Sequence, residues 1–94
     1  MSLGSWVTVY SIDITQKARK QLLRLPEQVR LQIEGRIDRL AEWPVADLDI
    51  KPLKGRRAGT YRLRAGDYRV ILLADDGAKS ISIREVGHRE SIYG

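Results

Sequence analysis

The sequence has 94 residues and a formal net charge of +5, and its length fits one small domain covering residues 1–94. It contains no cysteine, which excludes disulfides and thiolate metal sites and is typical of cytoplasmic proteins. No run of about 18 apolar residues occurs, so neither a membrane span nor a secretory signal is expected.

In chain order, one strand and two helices are predicted first. Residues 1–5 are interpreted as a tag remnant or a loose terminus, and β-branched and aromatic residues over 6–12 predict a strand. Thr15 is a plausible N-cap for a short helix, and Pro26 suits the first turn of a second helix, which ends at Trp43-Pro44. The apolar stripes of the two helices consist of Ala18, Leu22 and Leu25, and of Val29, Ile33, Ile37, Leu40 and Ala41.

The connection over residues 45–59 is rich in positive charge. Between Lys51 and Arg69 the chain has seven Lys or Arg residues and a single acid, Asp67. A basic loop is usually just solvated, but this local excess suggests a polyanionic partner. The loop residues that we expect to contact such a partner are Lys51, Lys54 and Arg56.

The last third of the chain predicts three strands joined by two short turns, because arginines and apolar residues alternate there. If Ala65-Gly66 is a two-residue hairpin loop, Arg62 lies opposite Arg69. If Asp76-Gly77 is another, Arg69 lies opposite Arg84. The two turns therefore predict a row of three arginines across neighbouring strands.

Alternation divides these side chains between two faces of the predicted sheet. The apolar face would carry Tyr61, Leu63, Tyr68, Val70, Leu72, Ile81 and Ile83, and the cationic face Arg62, Arg64, Arg69, Arg84 and His88. Like charges opposite each other destabilise a sheet, and a bound phosphate would remove that repulsion by accepting hydrogen bonds from the guanidinium groups. The alternative is a solvated face on which arginine stems cover apolar surface. Ile71 and Leu73 also fall on this face, where they either pack under the C-terminal segment or receive a partner segment.

The element order β-α-α-β-β-β predicts an α+β fold with two layers. A helical hairpin would pack on one face of a mainly antiparallel four-stranded sheet, with the first strand beside the last. The single histidine and the absence of cysteine leave no evident ligand set, so we expect no metal and no cofactor.

Three segments that follow the helical hairpin carry a family resemblance: residues 52–55 (PLKG), residues 61–70 (YRLRAGDYRV), and residues 87–89 (GHR) followed by Tyr93. With these segments in this order, the chain resembles the RelE/ParE superfamily of bacterial toxins from toxin–antitoxin systems. The resemblance covers residues 7–93. It departs at Arg62 and Arg64, where the RelE branch often has lysine, and no C-terminal helix is expected before the chain ends.

The resemblance to the RelE branch implies a metal-independent endoribonuclease that cleaves mRNA in the ribosomal A site and inhibits translation. Attack by the ribose 2′-hydroxyl would leave a cyclic or 3′ phosphate and a 5′ hydroxyl. The candidate catalytic residues are Arg69 and Arg89, which would stabilise charge, and Tyr93 or His88, either of which could be the base. The candidate RNA-binding residues are Lys51, Lys54, Arg56, Arg62, Arg64 and Arg84.

The resemblance also implies partners and leaves two rival functions open. The implied partners are a cognate antitoxin, mRNA and the ribosome, all in the cytoplasm. A ParE-like protein would instead inhibit DNA gyrase without cutting nucleic acid. The third reading is an RNA-binding module without chemistry.

Overall fold

The computed structural model describes residues 9–90 and places five strands and two helices in this range. In chain order they are β1 (Ser11–Ile14), α1 (Gln16–Leu23), α2 (Glu27–Arg39), β2 (Ile50–Pro52), β3 (Thr60–Ala65), β4 (Tyr68–Asp75) and β5 (Ser80–His88). The strands form one sheet in the order β1-β5-β4-β3-β2, in which β1 runs parallel to β5 and the other pairs are antiparallel.

The predicted α+β class and the position of the first strand beside the last are confirmed, but the strand count is wrong. The additional strand, β2, pairs three residues of the basic connection with β3. It has no alternating apolar pattern and ends in Pro52, which suits an edge strand and hides it from pattern analysis. The first strand also extends to Ile14, two residues beyond its predicted end, whereas residues 1–8 lie outside the described range.

The helices begin where the sequence predicts. The Thr15 hydroxyl accepts a hydrogen bond from the Ala18 N–H at 3.2 Å, and so caps α1. Pro26 precedes α2 as its N-cap residue, and Glu27 then stands at the positive end of the helix dipole. Both helices place buried side chains against the sheet, namely Ala18, Leu22, Ile33, Ile37 and, just beyond α2, Leu40.

The apolar face of the sheet is the one that the helices cover. Leu63, Val70, Leu72, Ile81 and Ile83 each have 0% of their surface exposed and form one cluster with the helix residues. Burying a side chain of this size contributes about 1.5–3 kcal/mol. This face therefore holds the hydrophobic core, and it fixes which side chains point to the other face.

In the hairpin between β3 and β4, each residue pairs with a partner two positions away from the predicted one. Its loop is Gly66-Asp67, so Ala65 pairs with Tyr68 and Arg64 pairs with Arg69. The left-handed backbone of Gly66, with φ of 61°, makes the tight turn possible. Because a strand has a two-residue period, a shift of two in the register changes the partners but leaves every side chain on its predicted face.

A β-bulge at Arg84 breaks the predicted alternation in β5. Leu72 pairs with Ile83 and Ile71 with Glu85, so Arg84 is an extra residue without a partner in β4. The predicted two-residue turn at Asp76-Gly77 is wrong as well, because the turn spans residues 76–79 and Asp75 pairs with Ser80. The longer turn and the bulge together set Arg69 opposite Gly87, so the predicted pairing of Arg69 with Arg84 is wrong.

Beyond the bulge, the later residues of β5 exchange faces relative to the prediction. His88 pairs with Tyr68, and the two rings meet edge to face with their centroids 5.5 Å apart. His88 thus lies on the helix side of the sheet, and its predicted place on the cationic face is wrong.

Gly35 offers a direct test of helix stability in α2. A Cβ atom at this exposed position would meet nothing within 4 Å. We expect Gly35→Ala to raise the free energy of unfolding by about 1 kcal/mol, because alanine loses less backbone entropy in a helix. Urea unfolding monitored by circular dichroism measures this, and a lower midpoint for the variant would contradict the expectation.

Candidate nucleic-acid interface

The sheet face opposite the helices carries most of the predicted site, and we call it the open face. Cross-strand partners share a face, which places Lys51, Arg62 and Ile71 together and sets Arg64 beside Arg69. The prediction that Arg62, Arg64 and Arg69 share one face is confirmed. The rows across the strands differ from those predicted: one runs Lys51, Arg62, Ile71, Glu85, and the next runs Arg64, Arg69, Gly87.

Arg62 and Arg64 stand in different electrostatic settings on β3. The Arg62 guanidinium lies 3.3 Å from the Asp49 carboxylate, and only 12% of its side chain is exposed. Arg64 is exposed, and within residues 9–90 no acidic side chain forms an ion pair with it. Arg64 is therefore the cation of this pair that is free to receive a phosphate.

Arg69 is buried, with 7% of its surface exposed, although it lies on the open face. Its Nη1 donates hydrogen bonds to the carbonyl oxygens of Gly66 at 2.9 Å and Tyr68 at 3.0 Å. Its Nε is buried without a hydrogen-bond partner, and no carboxylate in the described range pairs with it. Arg69 was predicted as the centre of an exposed row, but the guanidinium turns back onto the β3–β4 turn and is closed to solvent.

A second cationic region lies at the opposite end of the open face. It is a cleft of about 250 Å³ whose floor includes Ile71, only 1% exposed, and Leu73. Arg56, Arg57, Arg84 and Glu85 line the same cleft, together with Thr60. The arginine side chains around this cleft explain why apolar residues occur on an otherwise cationic face.

Glu85 connects this cleft to two neighbouring elements. Its carboxylate lies 3.5 Å from the Lys17 ammonium on α1 and 3.9 Å from the Arg56 guanidinium. Sequence analysis assigned no role to Glu85 or Arg57. The run of basic residues before β3 could have indicated Arg57 as a site residue. Glu85 follows the bulge, so simple alternation assigned its side chain to the wrong face of the sheet.

The remaining predicted residues lie at the end of β5 or in the basic loop. The Arg89 N–H donates to the Asp67 carbonyl at 2.9 Å, which brings exposed Arg89 to the same turn that Arg69 holds. The backbone is helical at Arg89 and Glu90, contrary to the expectation of no helix at this end. Lys54 is exposed in the loop before β3, and Tyr93 lies outside the described residues.

The arrangement supplies positive charge more readily than proton transfer. Arg64, Arg84 and Arg89 are exposed cations that could stabilise a phosphate, whereas the chain's single histidine faces the helices. Over residues 9–90, no group of three or more His, Cys, Asp or Glu side chains could hold a metal ion. Over the same range, no helix is long and apolar enough to cross a membrane.

Comparison with known proteins places this geometry among bacterial and archaeal toxins. The family described as the ParE toxin of type II toxin–antitoxin system, parDE, matches residues 12–93. Among curated relatives, the chain is 31% identical to toxin RelG of Mycobacterium tuberculosis, covering 89% of this chain and 95% of that protein. It is 33% identical to toxin RelE of the same organism, covering 89% of this chain and 86% of that protein.

Solved structures show the same fold. The chain matches the toxin–antitoxin complex RelBE2 of Mycobacterium tuberculosis with a TM-score of 0.71 and 31% identity, over 86% of this chain and 99% of that one. It matches the archaeal RelE–RelB complex of Pyrococcus horikoshii with a TM-score of 0.74 and 30% identity, over 86% of this chain and 96% of that one.

Proposed function

The chain belongs to the RelE/ParE superfamily of toxins from type II toxin–antitoxin systems, and we propose that it is a metal-independent endoribonuclease that cuts mRNA at the ribosome and so inhibits translation. The observation that carries this proposal is the gathering of positive charge at the β3–β4 turn, where exposed Arg64 and Arg89 flank the buried guanidinium of Arg69, which is unpaired within residues 9–90. A bound anion relieves the repulsion between like charges on one face of a sheet, and the phosphodiester group of RNA is such an anion.

In the proposed reaction, the ribose 2′-hydroxyl attacks the adjacent phosphorus, and the bond to the 5′ oxygen of the next nucleotide breaks. Arg64 and Arg89 would contact the phosphate oxygens, because both are exposed beside the β3–β4 turn. Arg69 would position that turn through its two carbonyl contacts and add positive potential from a site of low dielectric. We assign removal of the 2′-hydroxyl proton to Tyr93 rather than His88, because His88 packs on Tyr68 on the helix side, and the departing 5′ oxygen takes a proton from water.

The other cations of the open face would hold the RNA on either side of the reacting phosphate. Lys51 and Arg62 lie next to Arg64 on the sheet, whereas Arg56 and Arg84 line the cleft at the far end. Lys54 is exposed in the same β2–β3 loop that carries Arg56. Contacts to phosphates carry no sequence information, so the ribosome would select the substrate by presenting the mRNA.

A cell-free translation reaction tests the proposal. We expect the purified protein to cut translated mRNA and to leave 5′ hydroxyl ends, which primer extension locates and which need a kinase before ligation. A transcript that carries a 2′-deoxy nucleotide at the cut position lacks the nucleophile and should stay intact there. Transcripts that remain whole in the presence of folded protein would contradict the proposed activity.

The protein would be neutralised by a cognate antitoxin. The solved relatives RelBE2 and RelE–RelB are toxin–antitoxin complexes, which supports a partner of this kind for the present chain. The basic open face suits an acidic partner segment.

Inhibition of DNA gyrase is the alternative function, and the match to the ParE family favours it. In that case the basic face would bind a protein or DNA surface and no RNA would be cut. A supercoiling assay with purified gyrase separates the two functions: inhibition at concentrations that leave mRNA intact would establish the alternative.

A further inference from the structure

The helix dipole explains only part of the basic face of α1: Lys20 lies in the last turn and Arg24 is the C-cap residue, where positive charge is favourable, but Lys17 and Arg19 lie outside that end. The helix has three basic residues, Lys17, Arg19 and Lys20, and no acidic residue. Lys20 and Arg24 are four positions apart, a spacing at which like charges destabilise a helix. Within the described residues neither of them forms an ion pair. A repulsive arrangement of this kind is relieved when an anion binds.

These side chains line a groove. It has a volume of about 480 Å³, and its walls are Gln16, Lys17, Lys20, Gln21 and Arg24. All five wall residues are polar or basic, and the aliphatic stems of these side chains supply much of the wall surface. Protein interfaces are depleted in lysine and are usually anchored by aromatic or apolar side chains, whereas Lys, Arg and Gln are common partners of nucleic-acid phosphates.

The groove is joined to the cleft of the open face. β1 ends at Ile14, and α1 then runs along the edge of β5, where the Val86 N–H donates to the Gln21 side-chain oxygen at 2.7 Å. At this edge Glu85 lines the cleft and lies 3.5 Å from Lys17, which lines the groove. The two basic surfaces therefore meet at Glu85, whose carboxylate is paired with Lys17 on one side of the edge and with Arg56 on the other.

We propose that this groove is an RNA phosphate-binding surface that holds single-stranded RNA flanking the reacting nucleotide. The inference rests on the proposed function and extends it: the strand would leave the open face at the cleft, pass Glu85 and Lys17, and lie along α1. Lys20 and Arg24 contact its phosphates, and Gln16 and Gln21 donate hydrogen bonds to phosphate or ribose oxygens. The contacts are to the backbone and are independent of base sequence.

The test compares Lys20→Glu and Arg24→Glu with Arg19→Glu, which makes the same charge change on an exposed residue of the same helix outside the groove. The probe is a single-stranded 2′-O-methyl RNA of about 20 nucleotides, which lacks the nucleophile and cannot be cut by 2′-hydroxyl attack. We expect each groove variant to bind about 10-fold more weakly than Arg19→Glu at low salt, with a smaller salt dependence. Loss of one phosphate contact reduces the slope of log K against log salt by about 0.7 for single strands.

Equal affinities for the groove variants and Arg19→Glu would overturn the inference. An equal or larger effect on binding of a polyglutamate peptide would also overturn it, and would assign the groove to an acidic protein. The proposed function is tested separately. If the proteins bind the RNA probe as expected but the wild type leaves translated mRNA whole, the nuclease proposal is contradicted and the groove inference is kept. If the wild type cuts translated mRNA but the three variants bind the RNA probe equally well, the nuclease proposal is kept and the groove inference is overturned.

Discussion

Replacing Arg69 with alanine is expected to lower mRNA cleavage at the ribosome by about 100-fold, because the β3–β4 turn beside Arg64 and Arg89 loses its internal donor and a displacement of about 1 Å has a cost of this size. It should also lower the free energy of unfolding by about 1–3 kcal/mol, because two partly buried hydrogen bonds from a charged donor to the carbonyls of Gly66 and Tyr68 are lost. Primer extension measures the first effect, and urea unfolding measures the second.

Two further variants separate catalysis from folding at this turn. Arg64→Ala should reduce cleavage with little effect on stability, because Arg64 is exposed and forms no ion pair in the described part of the chain. Arg30→Ala is the matched control, since Arg30 pairs with Glu34 on α2, and should cut as wild type does. Full activity of a folded Arg69→Ala protein would remove this arginine from the mechanism.

Gly59→Ala is expected to destabilise the fold more than any other single change considered for this chain, by about 3 kcal/mol or more. Gly59 has a φ of 90°, and a Cβ atom there would lie 2.7 Å from the carbonyl oxygen of Ala74. The two backbones cannot separate freely, because the Ala74 N–H donates to the Gly59 carbonyl at 2.8 Å. Urea unfolding should therefore show a large drop in the midpoint.

Gly55→Ala is the matched control for this steric clash. Gly55 also has a positive φ, 76°, but a Cβ atom there would meet nothing within 4 Å. Its substitution should cost only the backbone strain, about 1–2 kcal/mol. The difference between the two variants isolates the contact with Ala74, and equal losses of stability would show that the close approach contributes nothing.

The faces of the sheet could be predicted from the sequence better than the strand partners. Alternation over residues 61–74 fixed which side chains meet the helices, and a register error of two positions left that assignment intact. The bulge at Arg84 leaves a local signature that the sequence interpretation did not use, since the apolar residues fall at Ile81 and Ile83 and then out of phase at Val86. One inserted residue was enough to move His88 to the helix side.

Burial of Arg69 could not be inferred from its neighbours in the chain. Its guanidinium is held by carbonyls of the β3–β4 turn, and the sequence interpretation placed that turn at Ala65-Gly66 instead of Gly66-Asp67. The groove on α1 was missed for another reason. Helical spacing identified Ala18 and Leu22 as the buried side, but the contact of the groove with the cleft becomes visible only when Lys17 is seen beside Glu85 of a distant strand.

The contact between Gln21 and Val86 has a consequence for the behaviour of the protein in solution. β1 ends after four residues, so within residues 9–90 no strand lies on the outer side of the second half of β5, and unpaired amides there could template fibre growth between molecules. The Gln21 amide oxygen occupies the Val86 N–H, and α1 lies across the same stretch. A side chain thus replaces a neighbouring strand and shields the sheet from aggregation while α1 keeps its charged surface in water.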